Sequence, residues 1–105
     1  MTELGFLGFV ELGGTLRLAV QCRNGSLVVT APDAAPAWSV YGTSDTPVQT
    51  GTLGASDADS KTGFRTGNVV CSTGNGFAVG QRYVVRVSYA ISSTQYAVEG
   101  YFHVS

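Results

Sequence analysis

Few side chains in this sequence are able to do chemistry, and they do not converge. The single histidine, His103, sits near the C-terminus on the parity opposite Phe102 and Val104. On a strand it therefore faces solvent or an interface. One imidazole and two widely separated cysteines, Cys22 and Cys71, lack the spacing of a zinc ligand set. Asp57-Ala58-Asp59-Ser60-Lys61-Thr62-Gly63 approximates a calcium loop, in which alternate oxygens wrap the ion before a sharp glycine turn. Lys61 stands where a third oxygen belongs, the glycine comes late, and no bidentate glutamate follows. A solvated loop is expected, with Asp57 and Asp59 as half of an opportunistic surface site. Thr73-Gly74-Asn75-Gly76 has the glycines of a phosphate loop without the Lys-Ser/Thr pair or a following helix. No serine or threonine has a histidine or lysine base in a recognisable arrangement. The expectation is a protein that is not an enzyme, with no catalytic residue, no cofactor and no metal.

The aromatics are the remaining candidates. Trp38, Tyr89 and Tyr96 fall on inward parities and read as core. Tyr41 and Tyr101 fall outward, an exposed aromatic surface suited to a ligand or, more readily, to a protein interface. Composition favours the interface. Only 12% of the 105 residues are charged, half of the usual fraction of about 25%. A chain this poor in ions is expected to cover part of its surface with a partner; the bland alternative is a Ser/Thr/Gly-rich surface that stays soluble without charge. Net charge −1 and 44% hydrophobic residues exclude a disordered polymer. The single lysine, Lys61, and an isoelectric point near 5.6 argue against nucleic acid, since no basic stripe exists to displace counterions. No apolar run approaches the length of a membrane span, no basic leader precedes Arg17, and two cysteines fit a reducing compartment.

The elements that must position these residues are strands. Leu16, Leu18, Val20 and Cys22 alternate with Arg17, Ala19 and Gln21, the period of a half-buried strand. Asn24-Gly25 then suggests a type I′ turn, setting Cys22 opposite Leu27 and Val20 opposite Val29. Tyr83, Val85, Val87 and Tyr89 share one parity, as do Tyr96, Val98, Gly100, Phe102 and Val104. A short turn at Ser92-Ser93 pairs Tyr89 with Tyr96 and Val87 with Val98. A hairpin over Ser44-Asp45-Thr46-Pro47 and a strand from Phe64 to Cys71 complete the pattern, and little helix is expected. Residues 1–14 are apolar and glycine-punctuated, with Gly13-Gly14 as a natural hinge. They form either a first strand packing Phe6 and Phe9 into the core, or an arm that binds another subunit through Leu4, Phe6, Leu7 and Phe9.

Gly80-Gln81-Arg82-Tyr83-Val84-Val85-Arg86-Val87 resembles the sixth-strand signature of immunoglobulin and fibronectin type III domains. The resemblance implies a tyrosine-corner role for Tyr83, its hydroxyl bonding a backbone group a few residues upstream. Trp38 likewise resembles the inter-sheet tryptophan. Val85 stands where antibody domains have a cysteine, so their inter-sheet disulfide is absent. Trp38 to Tyr41, Thr50 to Leu53, Thr62 to Arg65, Asn75 to Tyr83 and Gly100 to Val104 are together similar to small immunoglobulin-like modules of tailed-bacteriophage virions. The likeness spans about two-thirds of the chain, and such modules serve several roles. It implies an all-β, immunoglobulin-like antiparallel β-sandwich of about seven strands over residues 15–105, with an extended N-terminal arm or first strand over residues 1–14. The function implied is that of a capsid decoration or cement protein in the virion, binding the major capsid protein or another virion protein as a trimer or dimer. Rival roles are a carbohydrate-binding or host-adhesion module of a tail or fibre, and a head–tail adaptor.

Overall fold

The computed structural model describes residues 2–55 and 62–105, and the side chains from residue 5 onward within them. Asp57 and Asp59, with the opportunistic cation site they suggested, lie outside the described residues. So does the side chain of Leu4. The described strands are β1 (Thr2–Val10), β2 (Thr15–Gln21), β3 (Ala37–Tyr41), β4 (Gln49–Thr52), β5 (Gly54–Ala55), β6 (Phe64–Val70), β7 (Arg82–Ile91) and β8 (Thr94–Val104). They form two sheets, one ordered β1-β8-β7-β3-β4 and the other β2-β6-β5. Among the described residues helix is confined to one 3-10 turn, Thr73–Asn75, where Ser72 Oγ accepts from the Asn75 N–H and Gly76 closes the turn at φ 94°.

Alternation sets the faces. Leu16, Leu18 and Val20 of β2 are buried while Thr15, Arg17 and Ala19 are exposed. Val40, Val85, Val87, Phe102 and Val104 of the larger sheet join them, with Cys22, Cys71, Leu53 and Phe77, in a single core cluster. The two sheets thus bury their inner faces against each other, as apolar faces of period 2 must. Trp38 is buried opposite Gly51. A Cβ on Gly51 would stand 2.5 Å from the indole, so glycine there makes room for the ring.

The terminal hairpin has the register its side chains suggested, with Tyr89 opposite Tyr96 and Val87 opposite Val98. Ser92 and Ser93 both take positive φ, 50° and 66°, the requirement of a type I′ turn whose twist matches the strands. Asp33 supports this conformation: its two carboxylate oxygens accept from the N–H groups of Ser92 and Ser93 at 3.0 and 2.9 Å.

Three expectations need correction. The turn after β2 is not a type I′ Asn24-Gly25 turn. Leu27 N–H donates to Asn24 C=O, and it is Leu27 that takes φ 63°. Asn24 Oδ1 accepts from the N–H groups of Ser26 and Val28, which widens the turn. Val29 therefore falls opposite Arg23 rather than Val20, and Leu27, Val28 and Val29 are exposed. The assembly is also not purely antiparallel, because β1 pairs with β8 in parallel. Finally, Gly13-Gly14 is no hinge. Gly13 N–H donates to Cys71 C=O, Cys71 N–H to Gly14 C=O, Leu12 N–H to Ser105 C=O and Ser105 N–H to Val10 C=O. Four bonds bind that turn to the end of β8 and the segment after β6.

Candidate functional site: an aromatic surface on the terminal strands

β1 is neither a free arm nor a strand that packs Phe6 and Phe9 inward. Residues 6 and 9 are an odd number apart and in a regular strand would face opposite ways. Here Phe6 lies opposite Tyr101 and Phe9 opposite His103, so Leu7 and Gly8 together oppose Phe102 alone. Gly8 absorbs this bulge at φ 110°, a conformation closed to most other residues. A second irregularity lies between Glu3 and Gly5, beside Gly5 at φ 74°. The phase shift turns both phenylalanines outward, 46% and 72% exposed, while Leu7 packs against the core and Val10 enters it.

Register then assembles the surface in rows across the larger sheet. Tyr41 pairs with Val84, Val84 with Tyr101 and Tyr101 with Phe6, so one row crosses four strands. The adjoining row is Arg82, His103 and Phe9. The Phe6 ring lies 5.3 Å from Phe9 and 5.1 Å from Tyr101, centroid to centroid, and Phe9 lies 5.5 Å from His103. The Arg82 guanidinium stands 4.3 Å from the centre of the Tyr101 ring, within cation–π range. A shallow depression lined by Arg82, Val84, Glu99, Gly100 and Tyr101 opens beside it.

Four of the residues singled out from the sequence therefore share one face. Phe6, Phe9, Tyr41 and Tyr101 share the outer face of a single sheet, whereas Leu7 points away from it. Tyr41 and Tyr101 are half-buried rather than open platforms, and the Tyr101 ring is already engaged by Phe6 and Arg82. His103 faces outward as its parity suggested, and strand register sets it beside Phe9; Val84 joins the face through register alone. Tyr83 lies in the core, where its hydroxyl accepts from the Ala78 N–H at 2.8 Å.

Cys22 and Cys71 are free and buried. Burial pushes both thiols up, opposed only in part by Arg65 near Cys22 and by the Leu16 backbone at Cys71, so they are poor thiolates. Among the described residues no three of His, Cys, Asp and Glu gather as a metal-ligand group, and no helix there is long and apolar enough to cross a membrane. What the face can do chemically is stack, cover apolar surface and present a cation beside an aromatic ring. Compared with known proteins, the chain matches no family model, no curated protein and no solved structure.

Proposed function

We propose that this chain is a non-enzymatic structural protein of a tailed-phage virion, an immunoglobulin-like sandwich that binds the outer surface of the assembled capsid as a decoration or cement protein. The observation that carries the proposal is the outward pair Phe6 and Phe9. A folded chain that exposes two adjacent phenylalanines on a bulged edge strand, with Tyr101 and His103 beneath them, presents a surface for protein contact. The strand order, the buried Trp38 and the Tyr83 bond to the Ala78 backbone support the immunoglobulin-like reading. The virion assignment rests on the sequence resemblance.

The mechanism is multivalent burial. Each copy covers its aromatic face against capsid subunits, and capsid symmetry repeats a modest contact many times. Self-association into a dimer or trimer would raise the number of contacts per particle further. The test uses virions of a tailed phage that carries this coding sequence. Immunogold directed at the chain should label the head, and the double substitution Phe6→Ala/Phe9→Ala should leave heads unlabelled while the purified chain still unfolds cooperatively. Label confined to the tail or fibres would favour an adhesion role, and absence from purified virions would overturn the proposal.

A further inference from the structure

A cleft lies away from the aromatic face, between the end of β2, the turn after it and the first half of β8. Its volume is about 620 Å³, within the range of small-molecule sites. Tyr89 and Tyr96 stack there, ring centroids 5.5 Å apart and planes inclined by 23°. Tyr89 is fixed, because its hydroxyl bonds both the N–H and the C=O of Arg23. It therefore backs Tyr96, whose half-buried ring lines the cleft and whose hydroxyl sits over Gly25 with no partner among the described residues.

Arg23 and Asn24 present donors around Tyr96, while Gln21, whose Nε2 donates to Thr62 C=O, and Gln95 add amide oxygens. Asn24 spends its Oδ1 on two backbone N–H groups, leaving its amide NH2 to donate outward. One Arg23 Nη donates to Leu27 C=O, which holds the guanidinium in place with its other N–H groups unspent. Gln95 is exposed and unpartnered among the described residues. Among the described residues Arg23 is the only charged side chain in the lining.

We infer that this cleft binds a carboxylate-bearing saccharide. A pyranose ring offers a face of weakly positive C–H groups to the negative face of an aromatic ring. A carboxylate on that ring gives the guanidinium a charge-assisted, forked partner, and hydroxyls take up Asn24 and Gln95. A neutral sugar would give the Arg23 guanidinium hydroxyl acceptors but no charged partner; an acidic peptide would leave the Tyr96 ring without the C–H face of a pyranose. The site is independent of the aromatic surface, so it stands or falls separately from the capsid proposal.

The experiment is a titration of the full chain followed by backbone amide resonances, with trigalacturonate, galactotriose and tetraglutamate as probes. Trigalacturonate should shift resonances of residues 21–27 and 95–98 and bind at least tenfold more tightly than either control. Arg23→Gln and Gln95→Ala, both at exposed positions, should each weaken it, Arg23→Gln by tenfold or more, and Phe6→Ala/Phe9→Ala should leave it unchanged. The inference is overturned if trigalacturonate shifts nothing in the cleft, if Arg23→Gln binds as well as the parent, or if tetraglutamate binds equally, which would show charge alone at work.

Discussion

Replacing Phe9 separates folding from association, because the two draw on different parts of the same side chain. Phe9 is 72% exposed in the isolated chain, and a phenylalanine offers about 200 Å² for burial. About 140 Å² thus stay open to solvent and about 60 Å² are covered within the fold, equivalent on burial to about 3.5 and 1.5 kcal/mol at about 25 cal/mol per Å². Both are upper limits, since alanine retains part of the area. Phe9→Ala should lower the melting temperature by less than about 10 °C while weakening each contact by about 100- to 300-fold. Phe102, fully buried, is the control: Phe102→Ala should remove about 3–5 kcal/mol of stability. Calorimetry reads the first quantity, and quantitative mass spectrometry of virion occupancy, with sedimentation velocity for self-association, reads the second. If Phe9→Ala destabilises as much as Phe102→Ala, the side chain belongs to the core. If it melts normally and still fills the virion, the outward face is not the contact surface.

Three further outcomes follow from the packing. Gly51→Ala sets a loss of about 1–3 kcal/mol from overpacking against the Trp38 indole against a gain of below about 1 kcal/mol in chain entropy, so denaturant unfolding should show net destabilisation; Gly54→Ala, with open space around its Cβ, should be neutral or stabilising. Asp33→Ala removes two bonds to the Ser92-Ser93 turn and should speed amide exchange at those two positions, at a cost of about 1–2 kcal/mol. The raised thiols of Cys22 and Cys71 make the folded chain hold protons that the unfolded chain releases near the ordinary value of 9.0. Stability should therefore be intact below pH 9 and fall as pH rises beyond it, a fall that Cys22→Ala/Cys71→Ala flattens in alkaline unfolding curves.

Much of this fold can be read from residue order, because alternation carries its own check. The terminal hairpin is legible since a one-residue slip would expose Tyr89, Val87 and Val98 together. The turn after β2 is not, because Asn24 uses its side chain to bond two backbone N–H groups, an option that an Asn-Gly pair conceals. β1 misleads for a related reason: glycine at positions 5 and 8 permits bulges, and a bulge inverts every facing assignment beyond it. The outward aromatics at positions 41 and 101 are visible as parity, yet their union with Phe6 in one row depends on parallel pairing between the two terminal strands, a long-range choice without a local signature. The cleft behind Tyr96 is hidden for the same reason, since Tyr89 and Tyr96 look like ordinary core.

The parallel pairing of β1 with β8 also gives the molecule a polarity. Neighbouring strands that run the same way begin at one pole and finish at the other, about 25 Å apart for a strand of this length. Thr2 lies beside Val98, at the margin of the cleft, and Ser105 lies beside Val10 and Leu12, next to Phe9 and His103. An affinity tag or fluorescent fusion joined ahead of Thr2 is therefore not equivalent to one joined after Ser105. Joined ahead of Thr2 it should crowd the cleft beside Tyr96 and leave the aromatic face clear; joined after Ser105 it should do the reverse, so a pair of fusions obstructs the two surfaces one at a time without altering a residue of either.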